Sequence, residues 1–439
     1  MRRTATDLEP FRVPAYRRYL LAATITSISL WTYTTSLSWT VLEDTGSAAI
    51  VALISMLMTL PLPFASIPGG MLTDRLGPRG PVLLALLLEA ACVALTGLLA
   101  ATGQLTVPLV LLIAFVFGTA DGLQAVPSQV LVGRIVPPHA MASAIGLSML
   151  TIGVGRIVGG TVGGALVDAL GAQAAMLPAA VGVIAAAVTI RSLPRTPGMG
   201  GGARLSRDDL REGLRWFRTT PGARALMLLG GVSALFVWPY LGLLAVVVRD
   251  QLGGSAADLG LLTASGGVGA ILAALTMGPV GRRIGRGRQL VLVMVAGGAL
   301  QAALGLSQLL LPTLVVGTLL AMMTVTHTAT SNLVIQAVAP VMMRGRALAN
   351  YSFVFFGGLP IGYLLGGLGA DAIGVGPLLV TLGVATILGT GLIALLDPRL
   401  LRLDVMPLLP DQPAPRPAAV THPAEPAPGE ATPALAEPR

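Results

Sequence analysis

The stretch Gly70-Met71-Leu72-Thr73-Asp74-Arg75-Leu76-Gly77-Pro78-Arg79 sets one acid and two arginines between two long apolar runs, near 48–71 and 81–102. Glycines allow a tight turn and close helix approach. A carboxylate such as Asp74 can accept hydrogen bonds from a helix N-terminus, and Arg75 and Arg79 can pair with acids or lipid phosphates. The stretch reads as the polar turn of a hairpin. Each of its arms is long enough to cross a bilayer, which takes about 20 residues.

Outward from that turn the same pattern recurs. Twelve apolar runs lie near 19–42, 48–71, 81–102, 106–127, 143–167, 173–191, 224–248, 257–279, 289–310, 313–338, 347–370 and 375–396. Of 439 residues, 54% are hydrophobic and 11% charged, and the mean hydropathy is +0.81. Soluble chains carry about 25% charge, so too little polar surface exists here for a set of soluble domains. Disordered, collagen-like and disulfide-stapled chains are excluded as well. The expected division is a cytoplasmic segment 1–18, a six-helix bundle 19–191, a cytoplasmic linker 192–223, a second six-helix bundle 224–396 and a tail 397–439. The tail is rich in Pro, Ala and Glu and is expected to be disordered and cytoplasmic. In the linker, 206–218 is expected to be a surface helix, with Ser206 as N-cap and Leu210, Leu214 and Phe217 on one face.

The chain contains no lysine, so all 28 basic residues are arginine. A Walker A loop needs Gly-Lys-Ser/Thr, which removes that class of ATPase, and a lysine Schiff base is excluded too. One cysteine, Cys92, and three histidines show no metal-ligand spacing. No nucleophile–base set appears either, so neither a cofactor nor an enzymatic activity is expected. If the N-terminus is inside, 26 of the 28 arginines fall in inner segments, leaving Arg249 outside and Arg156 within a span. The positive-inside rule then puts both termini in the cytoplasm of a bacterial cell. The net charge of +8 is thereby a topology signal and not a nucleic-acid footprint. Arg17-Arg18 does not read as an export signal, because no small-residue cleavage site follows and eleven more spans do.

The halves resemble each other. Gly163-Gly164-Ala165-Leu166-Val167-Asp168-Ala169-Leu170-Gly171 matches Gly366-Gly367-Leu368-Gly369-Ala370-Asp371-Ala372-Ile373-Gly374 at an offset of 203 residues. Gly70, Arg75 and Gly77 match Gly278, Arg283 and Gly285 at an offset of 208. Duplicated six-span halves are the expected build of a secondary transporter, with the substrate site near the midplane between them.

With these features in place, Gly70 to Arg79 closely resembles the signature loop of the major facilitator superfamily, Gly-x-x-x-Asp-Arg/Lys-x-Gly-Arg/Lys-Arg/Lys. Pro78 departs from it, and the second copy has Arg282 where the acid belongs. Asp209 to Arg218, Trp39 to Ser47, Arg156-Ile157-Val158-Gly159-Gly160 and the spaced set Asn332, Gln336, Pro340, Arg344, Arg346 resemble the enterobactin-exporter and macrolide-efflux branch. The resemblance spans about residues 11–400. It implies an all-α membrane protein of twelve transmembrane helices, in two six-helix bundles with pseudo-two-fold symmetry. It also implies gating by Gly70, Asp74, Arg75, Gly77 and Arg79, with Asp121 pairing with Arg79 or Arg75. The arginine that many drug–proton antiporters carry in the fourth span, expected near Ala114, is missing.

Ionisable groups inside spans are costly and are functional candidates by default. Four stand out: Glu89, Asp121, Arg156 and His327. Glu89, Asp121 and His327 are candidates for proton coupling. Arg156 reads as an anchor for an anionic group or as a structural pair with Asp121 or a backbone carbonyl. In the first span Thr24, Ser27, Trp31, Thr34 and Ser38 fall on one helix face, as a cavity wall or as helix–helix glue. Trp238, Tyr240, Gln124, Asn350 and Tyr351 complete the expected cavity with Arg156 and His327. The glycines from 153 to 164 read as close-packing positions.

The expectation is a monomeric exporter of a small amphipathic molecule, drug-like or siderophore-like, working by alternating access and proton antiport. Protons and membrane lipid are its other partners. An importer of a small polar nutrient is the rival within the fold; a non-transporting membrane sensor or assembly partner is the rival outside it.

Overall fold

The computed structural model describes residues 9–195, 197–198, 207–220 and 222–403. These are helical throughout, and eleven helices among them are long and apolar enough to cross a membrane. In chain order the helices are α1 Pro14–Thr45, α2 Ala48–Leu76, α3 Arg79–Ala101, α4 Val107–Ile135, α5 Met141–Leu170 and α6 Ala172–Arg191. The linker helix α7 is Arg207–Thr219. Then come α8 Ala223–Gln251, α9 Ala256–Ile284, α10 Arg286–Leu306, α11 Leu310–Val338, α12 Arg344–Ile373 and α13 Val375–Leu396.

Helix α1 is 32 residues long yet is not among the eleven. Its face of Thr, Ser and Trp lowers its hydropathy below that of a lipid-immersed segment. The polar stripe read from the sequence as a cavity wall or helix–helix glue is thus what sets it apart here.

The expected turn at 70–79 is narrower in the structure. Nothing from Gly70 to Leu76 breaks the helix, and Thr73 Oγ1 donates to Gly69 O at 2.9 Å. The chain reverses only at Gly77, φ +77°, and Pro78. Its repeat partner Gly285 has φ +85°, so one backbone device ends both α2 and α9. Both positions need glycine, because L side chains avoid this region.

Helix α5 is the axle of the packing. Glycines at 155, 159 and 163 recur every four residues and face α1, where an added Cβ at 159 would stand 2.9 Å from Trp31 Cβ. Gly160 and Gly164 face α9 on the other side, and an added Cβ at 160 would stand 2.8 Å from Thr263 Cγ2. Small residues let helix backbones meet where the bilayer supplies no hydrophobic drive between them. Helix α12 meets α2 in the same way at Gly367, whose Cβ would be 2.8 Å from Ala49 Cα.

Helix α8 is wound loosely over Ser233–Val237 and Val247–Gln251, with Trp238 N bonding Ser233 O at 3.0 Å. Pro239 follows, and its missing N–H explains the wide turn before it. Buried Gln301 from α10 donates to Phe236 O at 2.8 Å and satisfies a carbonyl there. Outward faces carry exposed leucines, such as Leu87, Leu95 and Leu98 on α3 and Leu388, Leu392 and Leu395 on α13. Apolar surface on that scale suits lipid contact.

The linker helix packs on α8 and α12. Its Phe217 is fully buried and Trp216 nearly so, which goes further than a helix lying on the surface. Glu212 there pairs with Arg346 at 2.5 Å. Ser206 and residues 404–439, most of the expected tail, lie outside the described residues.

Candidate functional site

A cavity of about 220 Å³ opens among α1, α2, α4, α8, α9 and α12. Three of the five stripe residues of α1 reach it: Trp31, Thr34 and Ser38. The lower two do not. Ser27 sits against Gly155 of α5, and Thr24 bonds its own backbone at Leu20 O, 2.8 Å. The stripe therefore serves both expected purposes: helix contact at one end and cavity wall at the other.

Asp121 is the one carboxylate lining the cavity among the described residues. Gln124, one turn further along α4, shares its face and donates to Oε1 of buried Glu89 on α3. A line of polar groups thus runs from the cavity through Asp121 and Gln124 to Glu89. No arginine lies within 4.0 Å of either acid among the described residues. The expected pairing of Asp121 with Arg79 or Arg75 is not made. Arg79 donates instead to Arg191 O at the end of α6, where the helix dipole favours a cation. Arg75 is exposed and Asp74 half-buried on the last turn of α2, while Gly70 lies near Val126 of α4.

Arg156 is buried at the junction of α1, α5 and α9. Its guanidinium lies 4.8 Å from the Trp31 ring centre, and Nε donates to Thr263 O at 3.0 Å. Gly266 leaves the space it occupies. Of the alternatives open from sequence, the carbonyl is the partner seen. A cation over an indole face is worth about 0.5–2 kcal/mol. Trp31 and Thr263 both line the cavity, so Arg156 braces its wall from behind.

Arg156→Ala removes the cation–π contact on Trp31 and the additional hydrogen bond to Thr263 O, a carbonyl that sits inside a helix and keeps its helical partner, a loss of roughly 1–3 kcal/mol. Thermal unfolding in detergent should start about 5 °C lower. Arg156→Lys should not restore it, because a lysine ammonium is a point charge without the flat, forked guanidinium.

The other expected cavity residues gather elsewhere. His327 on α11 is buried beside the loosened turn of α8, with Nε2 3.5 Å from Ser331 Oγ. Trp238 packs edge-on against Phe355 at 5.6 Å, and Tyr351 stacks on the same ring at 6.2 Å. Asn350 donates to Arg346 O at 2.9 Å beside Gly213 of the linker helix, and Tyr240 is buried. Sequence reasoning passed over Ser55 and Thr59 of α2 and Tyr363 of α12, which line the cavity. The first two are four residues apart within an apolar run, a polar pair on one face that could have been found. Tyr363 carried no such signal.

The family described as transmembrane secretion effector matches residues 5–426. The multidrug efflux pump Tap of Mycolicibacterium fortuitum is 26% identical over 380 residues, 84% of this chain and 91% of that one. Macrolide efflux protein A of Streptococcus pyogenes is 23% identical over 244 residues, 54% of this chain and 60% of that one. Among solved structures, a bacterial homologue of the human lysosomal transporter Spinster, inward-facing and unoccupied, superposes with a TM-score of 0.69. It is 16% identical and covers 89% of this chain and 98% of its own, so it speaks to the fold alone.

Proposed function

This chain belongs to the transmembrane secretion effector family of the major facilitator superfamily, and from that premise we propose that it exports a small amphipathic molecule in exchange for protons. It is a multi-pass membrane transporter and not an enzyme. In our reading α1–α6 and α8–α13 are two six-helix bundles of twelve spans, spanning residues 19–191 and 224–396, with both termini cytoplasmic. The arginine distribution supports that orientation. The chain is read as a monomer.

The observation that carries the proposal is the cavity, walled by helices from both halves of the chain. It is mostly apolar, with Trp31 and Tyr363 for a flat ring, Thr34 and Ser38 for hydrogen bonds, and Asp121 as its acid. Apolar walls with a few placed polar groups suit an amphipathic solute. A sugar-like or amino-acid-like nutrient would call for more polar contacts. In the proposed cycle the cavity opens to the cytoplasm, takes the solute, rocks outward and releases it. Asp121 binds a proton from outside and gives it up inside, with Glu89, hydrogen-bonded by Gln124, as a second proton-binding group. The efflux-pump names of the two curated relatives agree with export.

Purified protein in proteoliposomes with an imposed pH gradient tests this. Fluorescent amphipathic cations and neutral antibiotics should accumulate with a matching change of internal pH. Solute movement without proton movement would remove the antiport reading, and uptake of small sugars in place of the panel would remove export. Trp31→Ala takes away the largest flat surface in the cavity. Apparent affinity for ring-bearing solutes should drop about fivefold, read by competition against the transported dye, with small solutes less affected.

A further inference from the structure

We infer that Asp371 and Arg249 are positioning residues of the transport cycle, forming a latch that holds the arginine-poor end of the protein closed. The inference rests on the alternating-access reading above. The corner where α1 turns into α2 offers two unlike poles. Helix α1 ends there with its last carbonyls, its negative pole, and α2 begins there with N–H groups that have no intrahelical partner, its positive pole. The second half of the chain supplies the matching charge to each.

Asp371, near the end of α12, accepts from Ala48 N at 2.7 Å, Ala49 N at 3.1 Å and Ser47 Oγ at 2.7 Å. It therefore completes the N-terminus of a helix to which it is joined by no nearby chain. Arg249, at the end of α8, donates to Leu42 O and, at 3.3 Å, to Gly46 O. Asp250 holds the Arg249 guanidinium at 2.6 Å and orients it. Anion on positive pole and cation on negative pole meet within a few residues of one another, and both bonds cross from one half of the chain to the other. Behind them Gly367 brings α12 against the backbone of α2.

The repeat makes the pattern informative. Asp168 is the counterpart of Asp371 by sequence, and both are exposed, yet among the described residues Asp168 makes no hydrogen bond to a helix N-terminus while Asp371 makes three bonds at the start of α2. The start of α9, counterpart of α2, caps itself, with Asp258 accepting from Ser255 N at 2.9 Å. So α9 keeps its full capping box when the halves part, whereas α2 keeps only the bond from Ile50 N to Ser47 Oγ, 3.3 Å, and loses those that Asp371 provides. Opening this end breaks both bonds together, and closing it remakes them. The sequence repeat alone would have given Asp168 and Asp371 equal roles.

Distances between spin labels test the latch without substrate and without knowledge of orientation, so its failure stays separate from failure of the export reading. Labels go at the exposed positions Asp44 and Ala372, in a Cys92→Ala background, in reconstituted protein. A pair within the first half, at Asp44 and Thr102, reports whether that half keeps its fold. Asp371→Ala should raise the long-distance population about fivefold or more, the scale of losing charge-assisted hydrogen bonds. Arg249→Gln should shift it the same way, and Asp371→Glu should bring it back. The Asp44–Thr102 distance should stay fixed throughout. Unchanged Asp44–Ala372 distances in both Asp371→Ala and Arg249→Gln would overturn the latch. So would an Asp371→Glu protein no nearer wild type than Asp371→Ala.

Discussion

Asp121→Asn should cut proton-driven transport to about a tenth of wild type or less, as expected for an intramembrane acid that carries the coupled ion. The substitution keeps size and hydrogen-bonding capacity but removes the titrating group from the cavity wall. Solute binding without a gradient should survive, because Trp31, Thr34, Ser38 and Tyr363 still line the cavity. Glu89→Gln should act more mildly, since Glu89 is set behind Gln124 and away from the solute. The measurement is uptake into proteoliposomes with and without a pH gradient, alongside equilibrium dye binding. Loss of binding together with transport would make Asp121 a solute ligand. Full transport in both single variants would remove the proton route from this end of α4.

Gly164→Leu should prevent correct assembly altogether. A Cβ at this position would lie 2.8 Å from Gly260 Cα and 2.9 Å from Gly260 N, and backbone cannot turn aside as a side chain can. Three further carbons must then fit where two helices touch. Overpacking costs about 1–3 kcal/mol even where a core can adjust, and here α5 is held by α1 on its far face. The membrane yield of monodisperse protein should collapse, or the unfolding temperature fall by about 5 °C or more. Gly146→Leu is the control on the same helix, because nothing stands within 4 Å of its Cβ. Equal behaviour of the two variants would show that the α5–α9 seam is not what packs the halves.

The residues that could be read early are those whose meaning depends on near neighbours. Gly77 and Gly285 announce turns because a positive φ is a property of one residue. The α5 glycines announce close packing because their four-residue spacing draws one face, although nothing in the spacing says that two faces serve two different helices. Trp31, Thr34 and Ser38 share a stripe with Thr24 and Ser27, and helical spacing supplies the stripe but not what stands opposite each part of it. His327, Trp238, Asn350 and Tyr351 are polar or aromatic residues in apolar runs, a description that fits a cavity wall and a packed interior equally. The structure places them by the loosened turn of α8 and beside the linker helix.

Membrane class, the recurrence of apolar runs, the duplication and the asymmetry of arginine are sums over many residues, and the order of amino acids alone determines them. Partnership was decided elsewhere. Arg156 chose Thr263 O over Asp121, Arg79 chose the end of α6, Asp371 caps α2, and Asp168 caps no helix among the described residues. Each of those outcomes depends on a group more than a hundred residues away or on the lack of one. Hydrogen bonds and ion pairs act over a few ångströms, so only the folded arrangement, with α5 drawn between α1 and α9, determines which groups come within reach.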